Sequence, residues 1–164
     1  MAVLNNDEKN LTLEICFIKM SEDIYEKTRD DYETWIPFIL CLTLPDKKYN
    51  IEEDIRATLS VYEIRNLIKG IEKILENLGK GNKNIYEFCS IEFFFRMTME
   101  VLPEDEVVEV ELWINVANQT NGKLYGYEEG VRFGSDKEDI VSFLTELKKE
   151  FEDVNCTLEE KSFR

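Results

Sequence analysis

Ser60-Val61-Tyr62-Glu63-Ile64-Arg65-Asn66-Leu67-Ile68-Lys69-Gly70-Ile71-Glu72-Lys73-Ile74-Leu75-Glu76-Asn77-Leu78-Gly79 contains the start, the buried stripe and the stop of one helix. Ser60 and Glu63 have the spacing of a capping box, in which hydroxyl and carboxylate satisfy backbone amides that a helix start leaves unpaired. Ile64, Leu67, Ile68, Ile71, Leu75 and Leu78 then recur at intervals of three and four, which puts them on one face. Gly79 suits the left-handed position just past a helix end. The spacing predicts a helix over 61–78. Ser135 and Glu138 repeat the pattern ahead of Ile140, Val141, Phe143, Leu144, Leu147 and Phe151, with Lys148 and Lys149 near the end, where the helix dipole favours cations. That predicts a second helix over 136–151.

Outward from these helices the apolar period changes from 3.6 to two, the mark of strands with one buried face. Leu11, Leu13, Ile15 and Phe17 share one parity, as do Ile36, Phe38, Leu40, Leu42 and Leu44, ended by Pro45-Asp46. Pro37 points to an edge or a bulge in that strand. Ile55, Ala57 and Leu59 lead into the first helix. Ile91, Phe93, Phe95, Met97, Met99 and Val101 alternate with Glu92, Phe94, Arg96, Thr98 and Glu100. Val108, Val110, Leu112, Ile114 and Val116 alternate with Glu109, Glu111, Trp113 and Asn115. After a turn at 118–122, a last strand over about 123–133 precedes the second helix. The layout is strands then capped helix, twice, compatible with a duplicated β-β-β-α unit. Short connections argue for antiparallel pairing. The expected fold is α+β, an antiparallel sheet with two amphipathic helices on one face. Residues 1–164 read as a single domain with an N-terminal extension (1–10), a core (11–152) and a tail (153–164). The polar segment 21–34 reads as a long loop or a hairpin excursion.

The 164 residues hold 20 Lys plus Arg, 35 Asp plus Glu and no His, for a formal charge of −15, with 43% apolar residues. A chain of this length buries enough surface to need no metal or disulfide. A field this negative repels phosphate backbones and anionic lipid, so direct nucleic-acid or membrane binding is disfavoured and a basic protein is the favoured partner. Without histidine, Ser-His-Asp, Cys-His and HExxH chemistry are excluded. Cys16, Cys41, Cys89 and Cys156 stand too far apart for a redox pair or zinc knuckle and read as reduced, mostly buried packing residues. No apolar run approaches the length of a membrane span. The N-terminus has no basic stretch followed by an apolar run, so a cytoplasmic location is expected and the N-x-T triplets at Asn10, Asn118 and Asn155 read as chance matches.

Little in the chain points to catalysis, and no cofactor is expected. Many carboxylates are present, yet none is marked as a buried acid–base pair. The runs Glu52-Glu53-Asp54 and Glu104-Asp105-Glu106 lack the alternate spacing and turn glycine of a calcium loop. Gly126 and Gly130 lack the lysine and Ser/Thr of a phosphate loop, and a glycine in a strand more often marks a bulge or a close backbone approach. Tyr125, Tyr127 and Phe133 read as packing residues.

The candidate partner-binding set is Glu92, Glu100, Glu109, Glu111 and Trp113. The last three share the polar parity of one strand, and Glu92 and Glu100 join them if that strand pairs with its predecessor through 102–106. Acids crowded on one sheet face repel, a cost that a cationic partner would relieve. A tryptophan among acids has the composition of a recognition hot spot. The alternative is that a loop covers this face and buries Trp113.

The succession of strands and capped helices, with Trp113-Ile114-Asn115 and Tyr127-Glu128-Glu129-Gly130-Val131-Arg132-Phe133 running into an amphipathic helix, resembles the WapI-like immunity proteins of bacterial polymorphic toxin systems. The resemblance covers about residues 11–151. It implies a small, non-catalytic cytoplasmic antitoxin that binds and neutralises a cognate toxin domain, often a nuclease. It carries over no binding residues. The alternative is an acidic interaction or nucleic-acid-mimic domain for another basic protein. The sequence sets no oligomeric state.

Overall fold

A computed structural model describes residues 1–19, 35–51, 57–101, 107–119 and 126–162, with side chains described as far as 117 and 155 in the last two stretches. The order is β1 (Ala2–Asn5), β2 (Thr12–Phe17), β3 (Trp35–Thr43), β4 (Lys48–Ile51), β5 (Thr58–Ser60), α1 (Val61–Asn77), β6 (Asn84–Cys89), β7 (Phe95–Val101), β8 (Val107–Asn115), the single turn α2 (Val116–Gln119), β9 (Glu128–Asp136) and α3 (Lys137–Ser162). All strand pairs are antiparallel, and the fold is α+β. The strands divide between two sheets where one was expected. The first runs β1-β2-β3-β4 with β5 also on β3, and the second runs β6-β7-β8-β9. Strand runs of five and four therefore precede the helices, rather than three and three.

α1 forms as its sequence dictates. The Ser60 side chain accepts from the Glu63 amide at 3.2 Å, and the Glu63 carboxylate accepts from the Ser60 amide at 2.8 Å. Leu78 caps the other end, its N–H donating to the Ile74 carbonyl, and Gly79 follows at φ 75°. Ile64, Leu67, Ile68, Ile71 and Ile74 are buried. The helix lies on β6 and β7, and at one point it needs a glycine. A Cβ on Gly70 would stand 2.1 Å from the Tyr86 ring, whose hydroxyl donates to the Asn66 carbonyl at 3.0 Å.

The second helix corrects the sequence reading at both ends. Ser135 does not cap it. The residue lies inside β9, which runs through Asp136, and its buried hydroxyl donates to the Asn5 carbonyl at 2.7 Å. The strand uses the serine before the helix begins. α3 then continues past the expected stop at Phe151 to Ser162, and Val154 is buried, so the tail boundary at 153 falls within the helix. Ile140, Phe143, Leu144, Leu147 and Phe151 face the core, whereas Val141 is exposed.

The first ten residues are likewise not an extension. Ala2 and Leu4 are fully buried in β1 beneath α3. Helix carboxylates serve the backbone there. Glu146 accepts from the Val3 N–H and Glu150 from the Phe17 N–H, both at 3.1 Å, and Glu150 also pairs with the terminal amine.

The helices touch each other, with Lys148 paired to Glu72 at 2.7 Å, and both lie on the core side of the sheets. Phe38 of β3 meets Phe95 of β7 at 5.8 Å between ring centres, where the inner faces of the two sheets join. Pro37 stands where β3 changes partner, from β5 at Trp35–Pro37 to β4 at Leu40–Thr43. The expected loop at 21–34 and both acidic runs lie outside the described residues.

Candidate functional site

The second sheet has one face in the core and one facing away. Phe95, Met97, Met99 and Val101 of β7 and Val108, Val110, Leu112 and Ile114 of β8 are buried. The opposite parity forms a grid fixed by the register. Cys89, Arg96, Trp113 and Gly130 make one row across β6 to β9. Glu87, Thr98, Glu111 and Arg132 make the next, and Ile85, Glu100, Glu109 and Gly134 the third.

Four of the five candidate residues meet here. Glu100 stands directly opposite Glu109, and Glu111 and Trp113 follow along β8. Glu92 does not join them. β7 begins only at Phe95, and residues 91–94 form a turn whose Ile91 and Phe93 are exposed, so the alternation expected from Ile91 onward holds only from Phe95.

The expected repulsion among the acids is also corrected, because Arg132 of the grid and Lys83 just before β6 pair with them. Arg132 Nε donates to Glu111 Oε1 at 2.7 Å, and its Nη1 lies 3.7 Å from Glu109. Lys83 pairs with Glu100 at 2.5 Å and Arg96 with Glu128 at 2.7 Å. The hydrogen bond from Arg132, and then that from the Trp113 indole, hold the Glu111 carboxyl below the usual carboxylate range. Such exposed pairs are each worth little and open readily when a partner offers a better one. Arg96 and Arg132 were visible in the sequence at the right parity; the cross-strand register reveals them as partners of the acids.

Trp113 is half-buried. Its indole N–H donates to Glu111 Oε2 at 3.3 Å, and the Arg96 guanidinium lies 5.8 Å from its ring centre. Its neighbour across the ladder must be glycine, because a Cβ on Gly130 would come within 2.0 Å of the Leu112 carbonyl oxygen. The close backbone approach expected of a strand glycine is realised there.

Cys89, expected among the mostly buried cysteines, is exposed at the end of the first row, because it shares the outward parity of β6 with Glu87 and Ile85. Partial burial and then the nearby Glu128 charge raise its thiol pKa. Cys16 is half-buried and Cys41 buried. Beside Cys89 a cleft of about 450 Å³ is lined by Phe93, Arg96, Asn115, Gly126, Tyr127 and Glu128. Among the described residues, no group of three or more Cys, Asp or Glu is placed to hold a metal ion, and no helix is long and apolar enough to cross a membrane.

Comparison with known proteins adds a family. Among solved structures the chain is similar to the plant transcriptional regulator PBF-2, at 16% identity and a TM-score of 0.41, over 94% of this chain and 81% of that one. It is also similar to WHY1 from Arabidopsis thaliana, at 14% identity and a TM-score of 0.37, over 86% and 81% of the two chains. No curated protein matches. The profile of the Immunity protein WapI-like family matches residues 3–155, which takes in both sheets and both long helices. By that match, the chain belongs to the WapI-like immunity protein family.

Proposed function

We propose that the outward face of the second sheet is the surface through which this immunity protein binds and neutralises its cognate toxin, a basic domain with nuclease activity, in the cytoplasm. The family supports the immunity role. The observation that carries the choice of surface is the register that unites Glu100, Glu109, Glu111 and Trp113 on a face directed away from the core. The chain acts by occlusion, without catalysis or cofactor. Its net charge of −15 speeds encounter with a cationic domain, and the grid of exposed ion pairs supplies carboxylates that exchange intramolecular partners for those of the toxin.

A nucleic-acid mimic would present an unbroken row of negative charge. On this face Arg96 and Arg132 interrupt the acids, which favours a protein partner of mixed polarity. The test is co-expression of the chain with the toxin domain encoded beside it. Wild type restores growth and forms a complex that survives gel filtration, and Trp113→Ala weakens both. Full protection by a chain in which Glu109, Glu111 and Trp113 are all replaced would place recognition elsewhere.

A further inference from the structure

Three large apolar side chains stand in water at one end of the outward face. Ile91 is 56% exposed, Phe93 64% and Tyr127 47%. Clustered exposure of this kind marks interaction sites, whereas single exposed apolar residues need no explanation.

The turn that carries two of them is held from below by buried polar groups. Ser90, itself 1% exposed, accepts through Oγ from the Phe94 amide at 2.8 Å and the Phe95 amide at 3.2 Å, and its carbonyl accepts from the Phe93 amide at 2.9 Å. Glu63, 4% exposed, caps α1 with one carboxylate oxygen and accepts from the Ile91 amide at 2.7 Å with the other. Phe93 is fixed at φ 55°, a conformation that non-glycine residues rarely adopt and that clusters at functional sites. Across the cleft, Gly126 at φ 92° precedes Tyr127, whose carbonyl accepts from the Val116 amide at 3.2 Å. Both aromatic walls therefore stand on fixed backbone, which lowers the entropy lost when a partner is seated between them.

We propose that this cleft receives an arginine side chain of the toxin, its stem between Phe93 and Tyr127 and its guanidinium on Glu128. This rests on the immunity reading and names the anchor of that interface. The charge favours a cation over an anion, since the chain carries −15 and Glu128 lines the cleft beside Arg96. Arg96 engages Glu128 through Oε2 at 2.7 Å, and the incoming guanidinium would be received at Oε1. An apolar occupant would desolvate the Arg96–Glu128 pair without replacing its water. Lysine, a compact and strongly hydrated charge, stacks on aromatic faces less well than guanidinium. The same stacking already occurs one strand away, where Arg96 lies over Trp113.

The test titrates the isotope-labelled chain with N-acetylarginine amide, using the leucine and glutamate amides as controls, and follows backbone amide shifts by NMR. The expected result is saturable shifts confined to Phe93, Arg96, Gly126 and Tyr127 for the arginine probe alone. Phe93→Ala with Tyr127→Ala, and separately Glu128→Gln, should weaken that binding at least about tenfold with the rest of the spectrum unchanged. Equal shifts with the leucine probe, arginine shifts spread over other acids, or unchanged binding by both variants would overturn the proposal. The same variants are then titrated with the toxin domain. Wild-type affinity in the Phe93 and Tyr127 double variant removes the arginine anchor but leaves the immunity reading standing, whereas a wild-type chain that fails to bind the toxin removes that reading itself.

Discussion

Arg132 stands opposite Glu111 in the β8–β9 ladder and donates to its Oε1 from both Nε and Nη2. The pair converts what the sequence offers as a row of acids into an alternating surface, and it gives that surface a pH signature. The folded-state pKa of Glu111 lies below its unfolded value, so the carboxylate contributes stability above about pH 4.3, and that contribution is lost as pH falls through the lowered value. Glu111→Gln should therefore lower the melting temperature slightly at pH 7 and converge on wild type as pH falls through the lowered value, which flattens the acid limb of the profile. An acid limb identical to that of wild type would show that the pair contributes nothing to folding.

Reversal of both Glu109 and Glu111 to Lys sets two cations beside Arg132, which now holds them both as partners. The variant should melt lower than wild type rather than higher. A raised melting temperature would mean that repulsion among the acids dominates and that the Arg132 contacts are unimportant in solution.

Two serines that look alike in sequence should behave differently. Ser60→Ala removes a true cap and should cost about 1 kcal/mol. Glu63→Ala should cost more, about 3 kcal/mol, because it strips the cap and leaves the Ser60 and Ile91 amides without their charged acceptor. Ser135→Ala should also cost about 1 kcal/mol, but the loss belongs to β1, where hydrogen exchange near Asn5 would accelerate while the first turn of α3 stays protected. Faster exchange confined to residues 137–140 would restore Ser135 as a cap.

Gly70 and Tyr86 form a pair that a double-mutant cycle resolves. Gly70→Ala alone should destabilise by about 1–3 kcal/mol through overpacking against the ring. In a Tyr86→Ala background the same change should stabilise by about 0.5–1 kcal/mol, the ordinary preference of a helix interior for alanine. Additive effects in chemical denaturation would show that the ring does not rest on the glycine.

The elements most legible in the sequence were those whose local and long-range instructions agree. Ser60, Glu63 and the Ile64–Leu78 stripe specify α1 at both ends, and the alternation of Val108–Ile114 specifies β8 and its inner face, although Val116, expected to continue it, already belongs to the helical turn α2. β1, β4 and β6 were missed because four to six residues give too few periods to stand out, and in β6 Ile85 faces outward. Ser135 was misread because S-x-x-E describes a possible cap, and only the position of β1 decides that its hydroxyl turns to Asn5. Apolar alternation extends formally back through Phe93 and Ile91, although the chain turns between Ser90 and Phe95, so Glu92 lies in that turn and off the β7 face. The grouping of Glu109, Glu111 and Trp113 follows from parity alone and that of Glu100 from parity with β7–β8 pairing; the Arg132 contacts that neutralise the acids depend on pairing between β8 and β9 that parity does not specify.

The most direct test of the account is the dissociation constant of the purified toxin domain for wild type and for the Glu109→Lys, Glu111→Lys double variant, measured by titration calorimetry at low and high salt. The proposed recognition face predicts a loss of at least about 100-fold at low salt, narrowing as salt screens the reversed charges. Equal affinity of wild type and variant at both salt concentrations would contradict it.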